Sequence, residues 1–136
     1  MKSWFTHYLS RQTLAHYLSH RFAHDTLSEF MANNGFEVIK HYKSDVEAEG
    51  EEPKFMTTAW RASFTHKPKR ATASKFRTLG VNSDMDALPI PKGKVTHACG
   101  HNLIAIAGVA VALAMKTALE VHDIPGTVVL LGTPGW

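Results

Sequence analysis

Leu103-Ile104-Ala105-Ile106-Ala107-Gly108-Val109-Ala110-Val111-Ala112-Leu113-Ala114-Met115, followed a few residues later by Ile124-Pro125-Gly126-Thr127-Val128-Val129-Leu130-Leu131, decides the fold. An alanine-rich run without a charge predicts a helix from Leu103 to about Val121, with Asn102 as its N-cap. The alanines and Gly108 keep it slender, so neighbours can pack closely. Being apolar on nearly all sides until Lys116, it is expected in the middle of a larger structure. Asp123 to Gly126 reads as a turn. Thr127 to Leu131 is a continuous apolar run, the pattern of a strand covered on both faces.

Upstream, Lys75 to Asp84 reads as a strand, which completes a strand-helix-strand unit suited to a crossover within an α/β sheet. Leu88 to Thr96, with Pro89, Pro91 and Gly93, reads as an irregular loop. Met56 to Thr65 suits another strand, with Trp60 and Phe64 in the core. Phe36 to Tyr42 suits a first one, with Phe36 and Val38 on one face and Ile39 and His41 on the other. Asp25 reads as the N-cap of a helix carrying Leu27, Phe30 and Met31, which Asn33-Asn34-Gly35 stop. Residues Met1 to Arg21 read as helical from Leu14, Tyr17, Leu18 and Phe22. Lys43 to Lys54 reads as a loop and His66 to Ser74 as a hairpin-like connection. The sequence shows no internal repeat and no low-complexity tract.

The 136 residues suffice for one ordinary domain or part of a larger one, and a chain of this size buries a core without disulfides. Hydrophobic content of 44% and charged content of 20% match soluble globular proteins. The net charge of +3 is too small to argue for nucleic acid. An acidic knot (Asp45, Glu47, Glu49, Glu51, Glu52) and a basic one (Lys67, Lys69, Arg70, Lys75, Arg77) read as solvated loops or hairpin tips. No interleaved aromatics of an RNA-binding signature accompany the basic knot. Cys99 is the single cysteine, so no intrachain disulfide forms, which suits a reducing compartment. The first residues lack the apolar run of a secretory signal, and the block from Leu103 to Met115 is too short to span a bilayer. The expectation is a soluble, cytoplasmic protein.

Chemistry concentrates in His97-Ala98-Cys99-Gly100-His101-Asn102, shortly after Asp84-Met85-Asp86-Ala87-Leu88-Pro89. In an extended segment His97, Cys99 and His101 point the same way. A thiolate and imidazoles suit a divalent transition metal such as zinc. A catalytic zinc takes about three protein ligands plus an open position, so this segment alone falls short. Cys99 as a small buried hydrophobe is the alternative. Asp84 and Asp86 are also two apart. They suit orienting a metal-bound imidazole or bridging ions, or else capping the turn that follows. His16, His20 and His24 recur every fourth residue, and on a helix they read as a solvated polar face. Gly132-Thr133-Pro134-Gly135 is no phosphate loop, and the Cys-x-x-Cys of zinc deaminases is absent.

Three stretches together resemble the M20 metallopeptidases and amidohydrolases, in the amidohydrolase-type branch that includes dipeptidases. They are Asn82 to Pro89, His97 to Gly108 and Ile124 to Pro134. The resemblance is specific from about Thr78 to Pro134 and looser from Ala23 to Arg77. It implies a partial α/β/α sandwich of a zinc-hydrolase catalytic domain over 23–136, preceded by a weakly matched helical segment over 1–22. It implies hydrolysis of a peptide or amide bond in a small peptide or N-acyl amino acid. It assigns Cys99 and His101 as ligands of zinc, or of manganese or cobalt, and Asp86 as the catalytic-centre carboxylate that orients a ligand or the base. Asp84 stands where other branches carry a metal-binding His, and no ligand role is carried onto it.

The sequence departs from that pattern. Where the family continues with Ala and a Glu pair, Gly135 and Trp136 stand here. One Glu of that pair is the general base and the next a metal ligand. The later His ligands and the lid or dimerisation domain have no counterpart. The usual acidic segment ahead of Ala23 is lacking. The expectation is therefore the front third of such a hydrolase, with an incomplete site and no activity alone. Two other readings stand beside it: a non-catalytic interaction module that associates with a full-length relative, and a plain metal binder. No membrane or nucleic-acid partner is expected.

Overall fold

The computed structural model describes residues 19–42, 58–68, 76–92 and 94–134. The expectations for the first residues, for the acidic loop, for most of the basic knot and for Gly135-Trp136 lie outside them. A helix, α1, covers residues 19–33. It is followed by β1 (Glu37–Lys40), β2 (Trp60–His66), β3 (Arg77–Asp84), β4 (Leu88–Ile90), β5 (Lys94–Thr96), α2 (His101–Val121) and β6 (Gly126–Thr133). Four strands form an open mixed sheet in the order β1-β2-β6-β3, and β4 and β5 form a separate hairpin. β2 runs antiparallel to β1 and β6, whereas β3 and β6 are parallel and joined through α2. This is the crossover that the apolar helix and strand predicted.

α1 ends in a Schellman motif. Phe36 N–H bonds to the Met31 carbonyl and Gly35 N–H to that of Ala32, with Gly35 left-handed at φ 81°. Met31 and Phe36, brought together by this turn, are both in the core. The helix starts before Asp25, contrary to the expectation of a cap there. Asp25 instead lies mid-helix, 3.9 Å from Arg21 one turn earlier.

The core lies on one face of the sheet. Trp60, Ala62, Val128 and Leu130 point from β2 and β6 toward Met31 of α1 and toward Ala105, Val109 and Ala112 of α2. Both described helices therefore cover the same face. β6 alternates between buried and half-buried residues rather than being buried on both faces as its apolar run predicted. Val129 and Leu131 point to the side on which no described helix lies.

α2 departs from expectation in three ways. Its N-cap is Gly100, left-handed at φ 80°, with no side-chain cap, so Asn102 lies inside the helix. It is long and apolar enough, by length and composition, to cross a membrane, although the block from Leu103 to Met115 alone is not. And only Ala105, Gly108, Val109 and Ala112 are buried, a stripe of small residues laid on the sheet. Gly108 sits so close to β3 that a Cβ there would lie 3.0 Å from the Ser83 Cβ and 3.1 Å from the Asn82 carbonyl oxygen. Ser83 Oγ donates to the Ala105 carbonyl at 2.9 Å, fixing the helix along the strand.

Leu88 to Thr96, expected as an irregular loop, is the β4–β5 hairpin. Its turn places Pro91 before Lys92, whose φ is 69°. Proline fixes the first central residue of such a turn, and the left-handed second position is more often glycine, which hid the hairpin.

Candidate functional site at the carboxyl ends of β3 and β6

In open α/β sheets, sites gather beyond the carboxyl ends of parallel strands. Here those ends are Asp84 and Thr133, which lie side by side in register. Met85 N–H bonds to the Thr133 carbonyl at 2.9 Å, so the chain leaving β3 stays bound to the end of β6. Trp60 Nε1 donates to Met85 Sδ at 3.2 Å from below. That sulfur is a weak acceptor, but both side chains are fully buried and fix the segment between the two aspartates.

Asp86 is brought next to His101. Asp86 Oδ2 lies 3.8 Å from His101 Nδ1, and Asp84 Oδ2 lies 3.7 Å from His101 Nε2. His101 thus turns one ring nitrogen toward each carboxylate. On its other oxygen, Asp86 Oδ1 lies 3.5 Å from His20 Nε2 on α1. These are ion-pair separations, longer than hydrogen bonds. Asp86 N–H also reaches Asp84 Oδ1 at 3.3 Å, and His97 Nδ1–H donates to the Asp86 carbonyl at 2.9 Å. Cys99 is placed differently. It is a free, exposed thiol in the turn before α2, where Gly100 N–H bonds to the His97 carbonyl.

Among the described residues, no group of three or more His, Cys, Asp or Glu side chains is arranged to hold a metal ion. The zinc implied by the resemblance finds no complete donor set among the described residues.

His20 and His24 were expected on a solvated face, yet both are buried. The signal was present: they share a helical stripe with Ala23, Leu27 and Met31, which pack into the core. His16 lies outside the described residues. His24 Nδ1–H donates to the Thr58 carbonyl at 2.8 Å, and its ring stacks on His41 at 4.9 Å. Burial lowers the His24 pKa from 6.5. The Thr58 bond opposes the shift, His41 adds to it, Asp25 opposes it and Lys40 adds to it. A cavity of about 260 Å³ opens between α1 and the start of α2, walled by Phe22, Leu27, Met85 and Ile106 with His97 and Asn102 at its polar side.

No family model matches the chain. Xaa-Arg dipeptidase of Mus musculus is 41% identical over 81 residues, which cover 58% of this chain and 18% of that protein. Xaa-Arg dipeptidase of Homo sapiens is 43% identical over 84 residues, with the same coverage. Over part of its length the chain is homologous to M20-family hydrolases. It spans about 18% of the length of these curated relatives. A solved aminohydrolase structure from methicillin-resistant Staphylococcus aureus superposes with a TM-score of 0.50 at 17% identity. That superposition covers 98% of this chain and 36% of the other, and supports the open mixed α/β fold.

Proposed function

We propose that the chain supplies part of the catalytic domain of an M20-type amidohydrolase or dipeptidase, in the branch of peptidase M20 domain-containing protein 2, and hydrolyses nothing by itself. The observation that carries this reading is His101, held between Asp84 and Asp86, while Cys99, the partner ligand that the resemblance implies, is exposed. The local identity to Xaa-Arg dipeptidases supports small peptides, among them dipeptides ending in arginine, as substrates of complete relatives, and the family resemblance adds N-acyl amino acids. A zinc, manganese or cobalt ion would there polarise the scissile carbonyl and acidify its bound water. In this chain the described residues offer Asp86 as the central carboxylate, with no group of three metal-binding side chains around it. The cytoplasm is the proposed location, because a lone exposed thiol suits a reducing compartment.

The test is turnover by the purified chain, with added zinc, cobalt or manganese, of Xaa-Arg dipeptides and acyl amino acids. No metal-dependent turnover above background is expected. Losing a general base alone costs about 10²–10⁴-fold. Turnover that vanishes in Cys99→Ala would overturn the proposal. A second reading, an interaction module that joins a full-length relative, is favoured by the unpaired outer edge of β3 among the described strands. Co-expression with such a relative, followed by co-purification, distinguishes it.

A further inference from the structure

Four side chains from three separate elements meet beside the end of β3, alternating acid and imidazole: Asp84, His101, Asp86 and His20. We infer that they form a carboxylate–imidazole ladder that clamps α1 and the first turn of α2 onto β3 without an ion, so that His101 is committed to the ladder rather than to a zinc shared with Cys99. The two ring nitrogens of an imidazole, each an N–H donor or a lone-pair acceptor according to protonation, point in diverging directions in the plane of the ring. A single ion can lie in front of only one of them. His101 faces a different carboxylate with each nitrogen, at 3.7 Å and 3.8 Å, and Asp86 in turn faces a different imidazole with each oxygen, at 3.5 Å and 3.8 Å. No point is common to all four, in keeping with the absence of a three-donor group among the described residues.

Each rung ties a different part of the fold. Asp84 is the last residue of β3, Asp86 lies just beyond it, His101 opens α2, and His20 comes from α1. His20 and Asp86 are largely buried, where charged and polar groups are retained only with partners of this kind. His97 supports the ladder from the side by donating to the Asp86 carbonyl. Cys99 is exposed and lies outside the ladder. His20 is thereby a positioning residue for Asp86, a role that the sequence alone did not suggest.

The inference rests on the proposed reading that this chain carries no working ion site of its own, and it is tested without substrate. Because Cys99 is the single cysteine, its rate of labelling by a thiol reagent reports on the loop directly. A thiolate bound to zinc is shielded, and binding to the native state raises the unfolding midpoint. With equimolar zinc in place of a chelator, labelling is expected to stay within about twofold and the thermal midpoint to stay unchanged. Protection of about tenfold or more, or a midpoint that climbs with zinc, would overturn the inference. The ladder itself is probed by a double-mutant cycle. His20→Leu should lower the midpoint in the parent chain and much less in an Asp86→Asn background, because coupled residues are not additive. Equal losses in both backgrounds would sink it. Should either variant fail to fold, the zinc and labelling measurements on the parent chain decide. Turnover by a chain whose Cys99 zinc does not protect would refute the proposed function and leave the ladder standing.

Discussion

His24 shows how much one buried imidazole couples this fold to pH. Its Nδ1–H is held by the Thr58 carbonyl, and its ring lies against His41, with Asp25 and Lys40 the other charges acting on it. Burial lowers its pKa in the folded chain below the 6.5 of an exposed imidazole. The unfolded chain therefore binds this proton more readily than the folded one. The stabilisation is fully present above pH 6.5 and is lost as pH falls from there through the lowered folded value. The sequence carries nine histidines in all, so the test is a difference. The urea midpoint of the parent should drop more steeply between pH 7.5 and pH 5.5 than that of His24→Asn. Identical slopes in the two chains would show that His24 contributes nothing to the pH dependence. That His24 is buried was legible from its place on the Ala23, Leu27, Met31 stripe. Its partners were not, because Thr58 and His41 come from segments that the sequence does not tie to α1.

Two glycines set how closely the elements of the core approach, and they should respond very differently to a methyl group. Gly132 on β6 lies directly across from Trp60 on β2, and a Cβ there would fall 2.0 Å from Trp60 Nε1. Trp60 is fully buried and cannot swing aside. Displacing it would also break its bond to Met85, which underlies the segment between Asp84 and Asp86. Gly132→Ala is expected to destabilise by about 3 kcal/mol, at the upper end of overpacking effects. Gly108→Ala meets the backbone of β3 at 3.1–3.2 Å, a tighter fit than normal but a smaller overlap. Alanine's helix propensity gives back up to about 1 kcal/mol, so the net loss there should be about 1 kcal/mol. Urea unfolding of the two variants checks the order, and a Gly108→Ala loss equal to or larger than that of Gly132→Ala would contradict it.

Elements with a strong local period were legible in the sequence: α2, β6, β3 and the Phe36/Val38 face beside β1 all lie close to where their residues predicted them, whereas His41 leaves the strand at φ 54° and stacks on His24 of α1 instead of lying on the far face with Ile39. The ends of helices and the hairpin were not. Asp25 resembles a cap but is held mid-helix by its neighbours, and Asn102 gives way to Gly100, whose freedom at positive φ lets the loop turn into α2. β4 and β5 carry no period long enough to read, and their turn depends on a left-handed Lys92. The proximity of Asp86 to His101 was legible because a modest spacing in sequence stayed short in space. His20 was missed because its approach to Asp86 depends on how α1 docks, which is a property of the whole core.

At the scale of the whole molecule, the helix layer leaves apolar surface uncovered among the described residues. α2 buries only its small-residue stripe, while Leu103 is 68% exposed, Ile106 60% and Val111 47%. Phe22 on α1 is exposed as well, and on the sheet Leu79 of the β3 edge strand lies open to solvent. No charge interrupts α2 before Lys116. Monomeric proteins seldom leave an apolar patch of this kind open, and a strand edge without lysine, proline or a bulge readily accepts another strand. The chain is therefore expected to self-associate as its concentration rises, or to be captured by a partner that covers α2. Size-exclusion chromatography with light scattering over a wide concentration range reads this directly. Leu103→Glu with Ile106→Lys, which place charges on the outward face without touching the buried stripe, should shift the population toward monomer and leave the unfolding midpoint nearly unchanged. A parent chain that elutes as a compact monomer at every concentration would show that these surfaces are satisfied within the chain itself.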